Sequence, residues 1–295
     1  MNTLSNSTAA PTAWIDPELY PFRPHFLDIG GHRMHYVDEG SGPVILFAHG
    51  TPEWSFGWRD LIRGLRDRYR CIAPDLLGFG LSDKPADADY SVQAHALRLQ
   101  ALVRQLDLQD IHLVANDFGV SIALYSALQE PERFARICLF NGWMRPLDRD
   151  PRYAWPAQVM RSPLGRWLYL HRNFPVTFIM PAAFGDRKKL TPDVHRHYLQ
   201  ALDTAEKRIA AYTFSRELLG ATDFWTAEWQ QLPVLRDKPF LFFWGMKDAF
   251  IPASELAHWL RALPHAHVIR VPEAGHFVQE EVPELMIREL RQFFG

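Results

Sequence analysis

Short, unbroken apolar runs recur along the chain at Pro43 to Ala48, Cys71 to Ala73, Ile111 to Ala115, Ile137 to Phe140, Phe240 to Trp244 and His267 to Val271. Runs this short, bounded by polar or turn-forming residues, predict strands buried on both faces. Ahead of them, His25 to Ile29 and Met34 to Val37 flank Gly30-Gly31, which predicts a hairpin. Between the runs the apolar period lengthens. In Ala94 to Leu106, residues Leu97, Leu99, Leu102, Val103 and Leu106 fall mostly three or four apart, the spacing of a helix face. Strand and helix alternating in this way predict an α/β fold with a mostly parallel central sheet flanked by helices.

The alternation lapses between residues 143 and 232, where aromatic residues are frequent and no strand-like run occurs. This stretch predicts a helical cap inserted into a core made of residues 15–142 and 233–295. It is expected to cover the carboxyl ends of the strands, where open α/β sheets bind ligands. Residues 1–14 are rich in Ser, Thr, Asn and Ala and are expected to be flexible.

Composition narrows the function classes. Apolar residues make up 47% and charged residues 22% of 295 positions, an ordinary globular balance that excludes low-complexity and collagen-like chains. Lys plus Arg number 32 against 34 Asp plus Glu, so bulk charge points to neither nucleic acid nor an anionic membrane as partner. The two cysteines, Cys71 and Cys138, sit inside strand-like runs and read as core packing, not as a disulfide or metal site. No apolar run approaches the roughly 20 residues that span a bilayer, and no leader pattern opens the chain, so a cytoplasmic location is expected.

The chemistry-bearing signal is Ala115-Asn116-Asp117-Phe118-Gly119, set between the run ending at Ala115 and the helical stretch from Val120 to Tyr125. Strand, sharp turn and helix with small residues about the turn are the pattern of a nucleophile elbow, here with Asp117 as the nucleophile. His49-Gly50-Thr51-Pro52 closes another strand. In such folds the backbone N–H after that Gly joins the N–H after the nucleophile as an oxyanion hole, which assigns Thr51 and Phe118; His49 itself reads as a hydrogen-bonded loop residue. Asp248 lies just beyond a late strand and His276 just beyond the next, so nucleophile, acid and histidine occur in the order Asp117, Asp248, His276.

These residues resemble the α/β-hydrolase superfamily, and within it the haloalkane dehalogenase and epoxide hydrolase branch, whose nucleophile is Asp. The likeness extends over nearly the whole chain through Met34 to Gly40, Trp54 to Arg59 and Pro74 to Pro85, and looks closest to dehalogenases. It implies a cofactor-free and metal-free hydrolase in which Asp117 displaces a leaving group from carbon to form an alkyl ester. His276 then activates water, and Asp248 orients His276. The implied partners are water and a small, mostly apolar organic substrate, in a pocket for which Trp54, Trp143, Trp155, Phe174, Phe178 and Phe277 are candidates. Some dehalogenases place the acid after the strand Ile137 to Phe140, where this chain has Asn141, so the role falls to Asp248.

Dehalogenases of this kind hold the halide with a Trp directly after the nucleophile and either an Asn after the His-Gly or a cap Trp. Phe118 and Thr51 depart from that pair. The runner-up is opening of an epoxide or strained lactone, for which Tyr153, Tyr169, Tyr198 and Tyr212 are the available cap hydroxyls. An acyl esterase and a non-catalytic ligand-binding relative complete the alternatives.

Overall fold

The computed structural model describes residues 13–295. Eight strands form one sheet: β1 (His25–Ile29), β2 (His32–Glu39), β3 (Val44–Ala48), β4 (Arg70–Pro74), β5 (Ile111–Asp117), β6 (Phe134–Gly142), β7 (Phe240–Gly245) and β8 (His267–Val271). Their order is β1-β2-β4-β3-β5-β6-β7-β8. β2 runs antiparallel to both β1 and β4, and all other neighbours are parallel. Gly30 and Gly31 make the first reversal: at φ +64° and +84° they close a two-residue turn between the paired residues Ile29 and His32.

The central parallel strands β3, β5, β6 and β7 bury nearly every side chain, as strands covered on both faces must. Two of them outrun their apolar signal. β5 continues through Asn116 to Asp117 and β6 from Phe134 to Gly142, because backbone pairing extends past the apolar side chains, through Asn116↔Phe140 and, after a register shift, Asp117↔Gly142. That shift lies beside the elbow.

β3 pairs with β4 on one side and β5 on the other, so the segments leaving β3 and β5 diverge and open a crevice at the sheet's carboxyl edge. Over this edge, between Gly142 and Phe240, the chain forms helices and no strand. Three of them, Pro151–Arg161, Pro163–Arg172 and Pro192–Ala201, begin with Pro at the first position. Each is preceded by a side-chain cap: Asp150, Ser162 and Thr191 accept backbone N–H bonds from Arg152, Gly165 and Val194. The local sequence thus starts each helix independently of packing.

Both cysteines are free and buried. No described helix is long and apolar enough to cross a membrane. Of the stretch expected to be flexible, residues 1–12 lie outside the described residues. Trp14, at its end, instead packs on Trp54 with ring centroids 5.5 Å apart.

Candidate active site

Asp117 is the last residue of β5 and the first step of a reversal into the helix Phe118–Gln129. Its backbone, at φ 51° and ψ −132°, is a conformation that costs a non-glycine residue about 1–3 kcal/mol. The turn is tight enough to forbid side chains nearby. A Cβ at Gly119 would run into the Ala48 carbonyl, and one at Gly50 into the Asp117 carboxylate. The Thr51 backbone N–H donates to Asp117 Oδ1 at 2.9 Å, so one carboxylate oxygen is fixed by the β3 loop.

The other oxygen, Oδ2, stands 3.5 Å from His276 Nε2. His276 Nδ1 bonds Asp248 Oδ2 at 2.7 Å. Asp248 Oδ1 accepts the N–H groups of Phe250 and Ile251 at 2.7 and 3.0 Å, while Asn141 Nδ2 donates to Asp248 Oδ2 at 2.8 Å. Burial raises the Asp248 carboxyl's pKa, but His276 and the two backbone donors outweigh it and hold the group below its ordinary value. Burial lowers the pKa of His276. The Asp248 and Asp117 carboxylates on either side overcome this and raise it well above the usual imidazole value, so the ring is charged while both carboxylates are.

Asn141 cannot supply an anion, and in the structure it serves in a different capacity. Its Oδ1 accepts the Gly245 N–H at 2.8 Å while its amide holds Asp248, which fixes the end of β7 to the acid.

A cavity of about 500 Å³ opens above these groups. Its wall includes Asp117, His276, Thr51, Phe118, Trp143, Tyr153, Tyr169 and Phe277. Of the aromatic candidates, Trp143 and Phe277 therefore reach the cavity and the others do not. Trp54 is fully buried beneath it, stacked on Phe56 at 5.4 Å. Trp155 and Phe178 face solvent, 72% and 51% exposed, because the lining positions are their chain neighbours Pro156 and Ile179. Phe174 packs against Tyr169 and Phe178 instead. Among the tyrosines, Tyr198 is turned away into a bond with Glu280 at 2.6 Å, and Tyr212 stands behind Tyr169. A surface cleft of about 650 Å³ at the opposite, amino end of β7 and β8 holds none of Asp117, Asp248 and His276.

Residues 43–283 match the model of the alpha/beta hydrolase fold family. The chain belongs to this family of hydrolases. It is 36% identical to haloalkane dehalogenase 2 of Mycobacterium tuberculosis, over 95% of this chain and 98% of the relative. It is 33% identical to a cis-3-alkyl-4-alkyloxetan-2-one decarboxylase of Xanthomonas campestris, over 93% and 96%. Among solved structures, haloalkane dehalogenase DatA of Agrobacterium tumefaciens superposes with a TM-score of 0.83 at 27% identity, covering 92% of this chain and 96% of that one. A loop variant of haloalkane dehalogenase DbeA from Bradyrhizobium elkanii gives 0.84 at 26% identity, over 92% and 96%.

Two buried carboxylates brace this hydrolase's site, and sequence reasoning singles out neither. Glu53 accepts from Asn116 Nδ2 at 2.6 Å and from Gln279 Nε2, tying the residue before Asp117 to the turn after His276. Burial pushes its pKa up to about 7, against the lowering effect of Asn116. Glu281 accepts three backbone N–H groups, from Gly185, Asp186 and Gly275 at 3.1, 2.8 and 2.7 Å. His276 in turn donates its own N–H to the Ala183 carbonyl at 2.8 Å. His49 is a bonded loop residue: Nδ1 meets the Gly50 carbonyl at 2.7 Å and Nε2 accepts from Leu76 N–H at 2.9 Å. A signal for Glu53 is present, since it follows the His-Gly-Thr-Pro turn directly, but sequence alone does not reveal that its partners flank Asp117 and His276.

Proposed function

We propose that this hydrolase cleaves carbon–halogen bonds through an alkyl ester on Asp117, without metal or cofactor. The observation that carries the reading is the carboxylate's placement. One oxygen is pinned by Thr51 N–H, and the other is 3.5 Å from His276 Nε2 at the floor of a largely apolar cavity. A carboxylate so held attacks the saturated carbon, the carbon–halogen bond breaks with its electron pair, and halide departs. Esterification removes the Asp117 charge. His276 then loses one of the two carboxylates that raise its pKa, gives up its extra proton and becomes the base that hydrolysis requires.

In the second step His276 takes a proton from water, and the hydroxide attacks the ester carbonyl of Asp117. Thr51 N–H already points at one oxygen of that group, and Phe118 N–H at the start of its helix is the second donor for the oxyanion. Collapse expels the alkoxide, which takes the proton from His276; the Asp117 acid left behind passes its proton to His276 and restores the charged ring, so with the proton shed on esterification the balance is haloalkane plus water to alcohol, halide and a proton. Asp248 holds the imidazole by Nδ1 throughout and stabilises its charged form. For the halide, two donors replace the family's pair. Trp143 Nε1 and Thr51 Oγ1 belong to cavity-lining residues beside Asp117, and both are buried without a hydrogen-bond partner.

A second reading, opening of a strained oxygen ring, is favoured by the Tyr153 hydroxyl. It too is buried, unpartnered and on the cavity wall, where it can donate to a ring oxygen. The relatives named as oxetan-2-one decarboxylases support the same reading.

One experiment separates the two. In the His276→Ala protein the ester forms but is not hydrolysed. Intact-mass measurement after incubation with bromoalkanes is expected to show an alkyl adduct mapped to Asp117, with free halide released in equal amount. An adduct that keeps the whole of an epoxide or lactone selects ring opening, and an adduct on a serine overturns the mechanism.

A further inference from the structure

The exposed residues that line the cavity come from two distant parts of the chain. Arg152 and Pro156 belong to the helix Pro151–Arg161, and Ala249 and Phe250 to the loop between β7 and the helix Ala253–Ala262. The mouth therefore opens between a helix of the segment that follows β6 and the loop that carries Asp248. One side chain reaches across at its edge. Arg152 Nη1 donates to Ser254 Oγ at 2.7 Å, just beyond the lining residue Pro252.

Arg152 is not a freely turning surface arginine. Its Nε and Nη2 hold the two oxygens of Asp150 at 3.0 and 2.6 Å, and Asp150 also accepts the Arg152 backbone N–H at 3.1 Å. These bonds hold the Asp150 carboxyl at about 2, so the pair persists across the neutral pH range. Beneath it, Arg145 lies 3.6 Å from Asp150 and grips both oxygens of the buried Glu255. Charges of opposite sign thus alternate from Glu255 through Arg145 and Asp150 out to Arg152, whose side chain is half-exposed. The buried members fix where the guanidinium stands. Its outer edge is held by the neutral hydroxyl of Ser254, with Glu255 farther off at 3.9 Å.

That arrangement allows movement at one bond only. Nε and Nη2 can keep Asp150 while Nη1 releases Ser254, which unbridges the rim without breaking the charge pairs. The chamber below, of about 500 Å³, has room for a ligand broader than a straight alkyl chain. Discrimination by width therefore falls to the rim.

We propose that Arg152, bridged to Ser254, is a specificity-determining gate that admits straight-chain substrates and holds back those that carry a ring. This selectivity presupposes the haloalkane reading and names the substrate class within it, primary haloalkanes with slender chains. A charge-assisted hydrogen bond of this kind favours the bridged state roughly tenfold. A ring-bearing substrate that passes only when the bridge is open is slowed by that factor, whereas a straight chain passes either way.

The test uses the full chain carrying His276→Ala, in which the reaction stops at the ester, with 1-bromohexane and with (2-bromoethyl)cyclohexane. Both are primary bromides with an unbranched carbon next to the reacting one, so they differ in width away from the chemistry. The rate of mass gain on Asp117 is expected to favour the straight chain by roughly tenfold. Adding Ser254→Ala is expected to raise the ring-to-chain rate ratio about tenfold, and Arg152→Ala to raise it at least as much. Ser254→Thr keeps the hydroxyl and is expected to keep the ratio. A general loosening of the structure lowers both rates together and does not raise this ratio. Equal rates for the two bromides before any rim substitution overturn the gate, as does a ratio unmoved by both Ser254→Ala and Arg152→Ala. A fall in both rates with a lowered melting temperature also overturns it, in favour of a structural bridge. If neither bromide alkylates Asp117, the dehalogenation reading fails and the gate with it; if both do and the ratio stays fixed, the gate alone fails.

Discussion

The two walls of the cavity are built on opposite plans. On the sheet side the reacting groups are already bonded: Asp117 to Thr51 N–H, His276 to Asp248, and Asp248 to Asn141, Phe250 and Ile251. On the facing side Trp143 Nε1 and Tyr153 Oη are buried with no partner, and Thr51 Oγ1 joins them from below. The first wall is organised before a substrate arrives, so little reorganisation is needed at the moment of bond breaking. Under the proposed function, the second keeps its donors free for the group that leaves or the oxygen that opens. Under the same proposed function, the bonded groups carry the step common to all substrates and the unpartnered donors choose among substrates.

The most damaging change to this contrast is Asp248→Asn. The amide keeps much of the shape but removes the charge that holds His276 in its orientation and stabilises the imidazolium. We expect kcat on a confirmed substrate to fall on the order of 10⁴-fold, with the melting temperature changed far less. A fall smaller than tenfold would mean that the sheet wall does not work through this acid.

Next in size is Glu53→Gln, which tests how much stability the bonded wall gives up for its buried charge. The Glu53 pKa is raised from 4.5 to about 7, so its contribution to stability is full below about 4.5 and is lost as pH rises through 7. The parent is expected to lose about 3 kcal/mol to this group across that window, and the variant none, as read from urea midpoints at acidic and mildly alkaline pH. Asn116 Oδ1 and Gln279 Oε1 have no partners, so a flip of either amide gives the N–H introduced by the substitution an acceptor.

The smallest effect is expected from Tyr153→Phe. Its hydroxyl has no partner to lose, so unfolding free energy should move by no more than about 0.5 kcal/mol. Haloalkane turnover should be unchanged. A selective loss of lactone or epoxide opening would sharpen the cap's role to that of a ring-oxygen donor.

Much of this arrangement was legible in the sequence, for a physical reason. Strands buried on both faces must be apolar throughout, and an elbow this tight must have glycine at position 119, so β3, β5, β6, β7 and Asp117 announced themselves. The pairing of Asp248 with His276 was legible only from chain order. The cap was different. Its aromatic content marked a helical segment, but which face of a helix points inward is set by tertiary packing. Trp155 faces solvent while its neighbour Pro156 lines the cavity, and the period of a short helix interrupted by Pro gives no means of telling them apart. Asn141 and Glu53 were hidden for another reason. Their partners, Asp248, Asn116 and Gln279, are joined only after β6, β7 and the β3 loop converge.

The three N–H bonds collected by Glu281 set a limit on engineering. Gly185 and Asp186 lie between the short helical turns Met180–Ala183 and Arg187–Lys189, Gly275 precedes the histidine, and one carboxylate holds both segments while Ala183 accepts the His276 N–H. The middle of the helical segment and the loop that carries His276 are therefore a single stitched seam. A helical segment borrowed from a relative is not a self-contained part, because its residues 183–186 must meet residues 275–281 of the host. A chimera that breaks the seam would misplace His276 even with Asp117, Asp248 and His276 all intact, whereas one that carries residues 183–186 and 275–281 from the same parent keeps donor and acceptor in register.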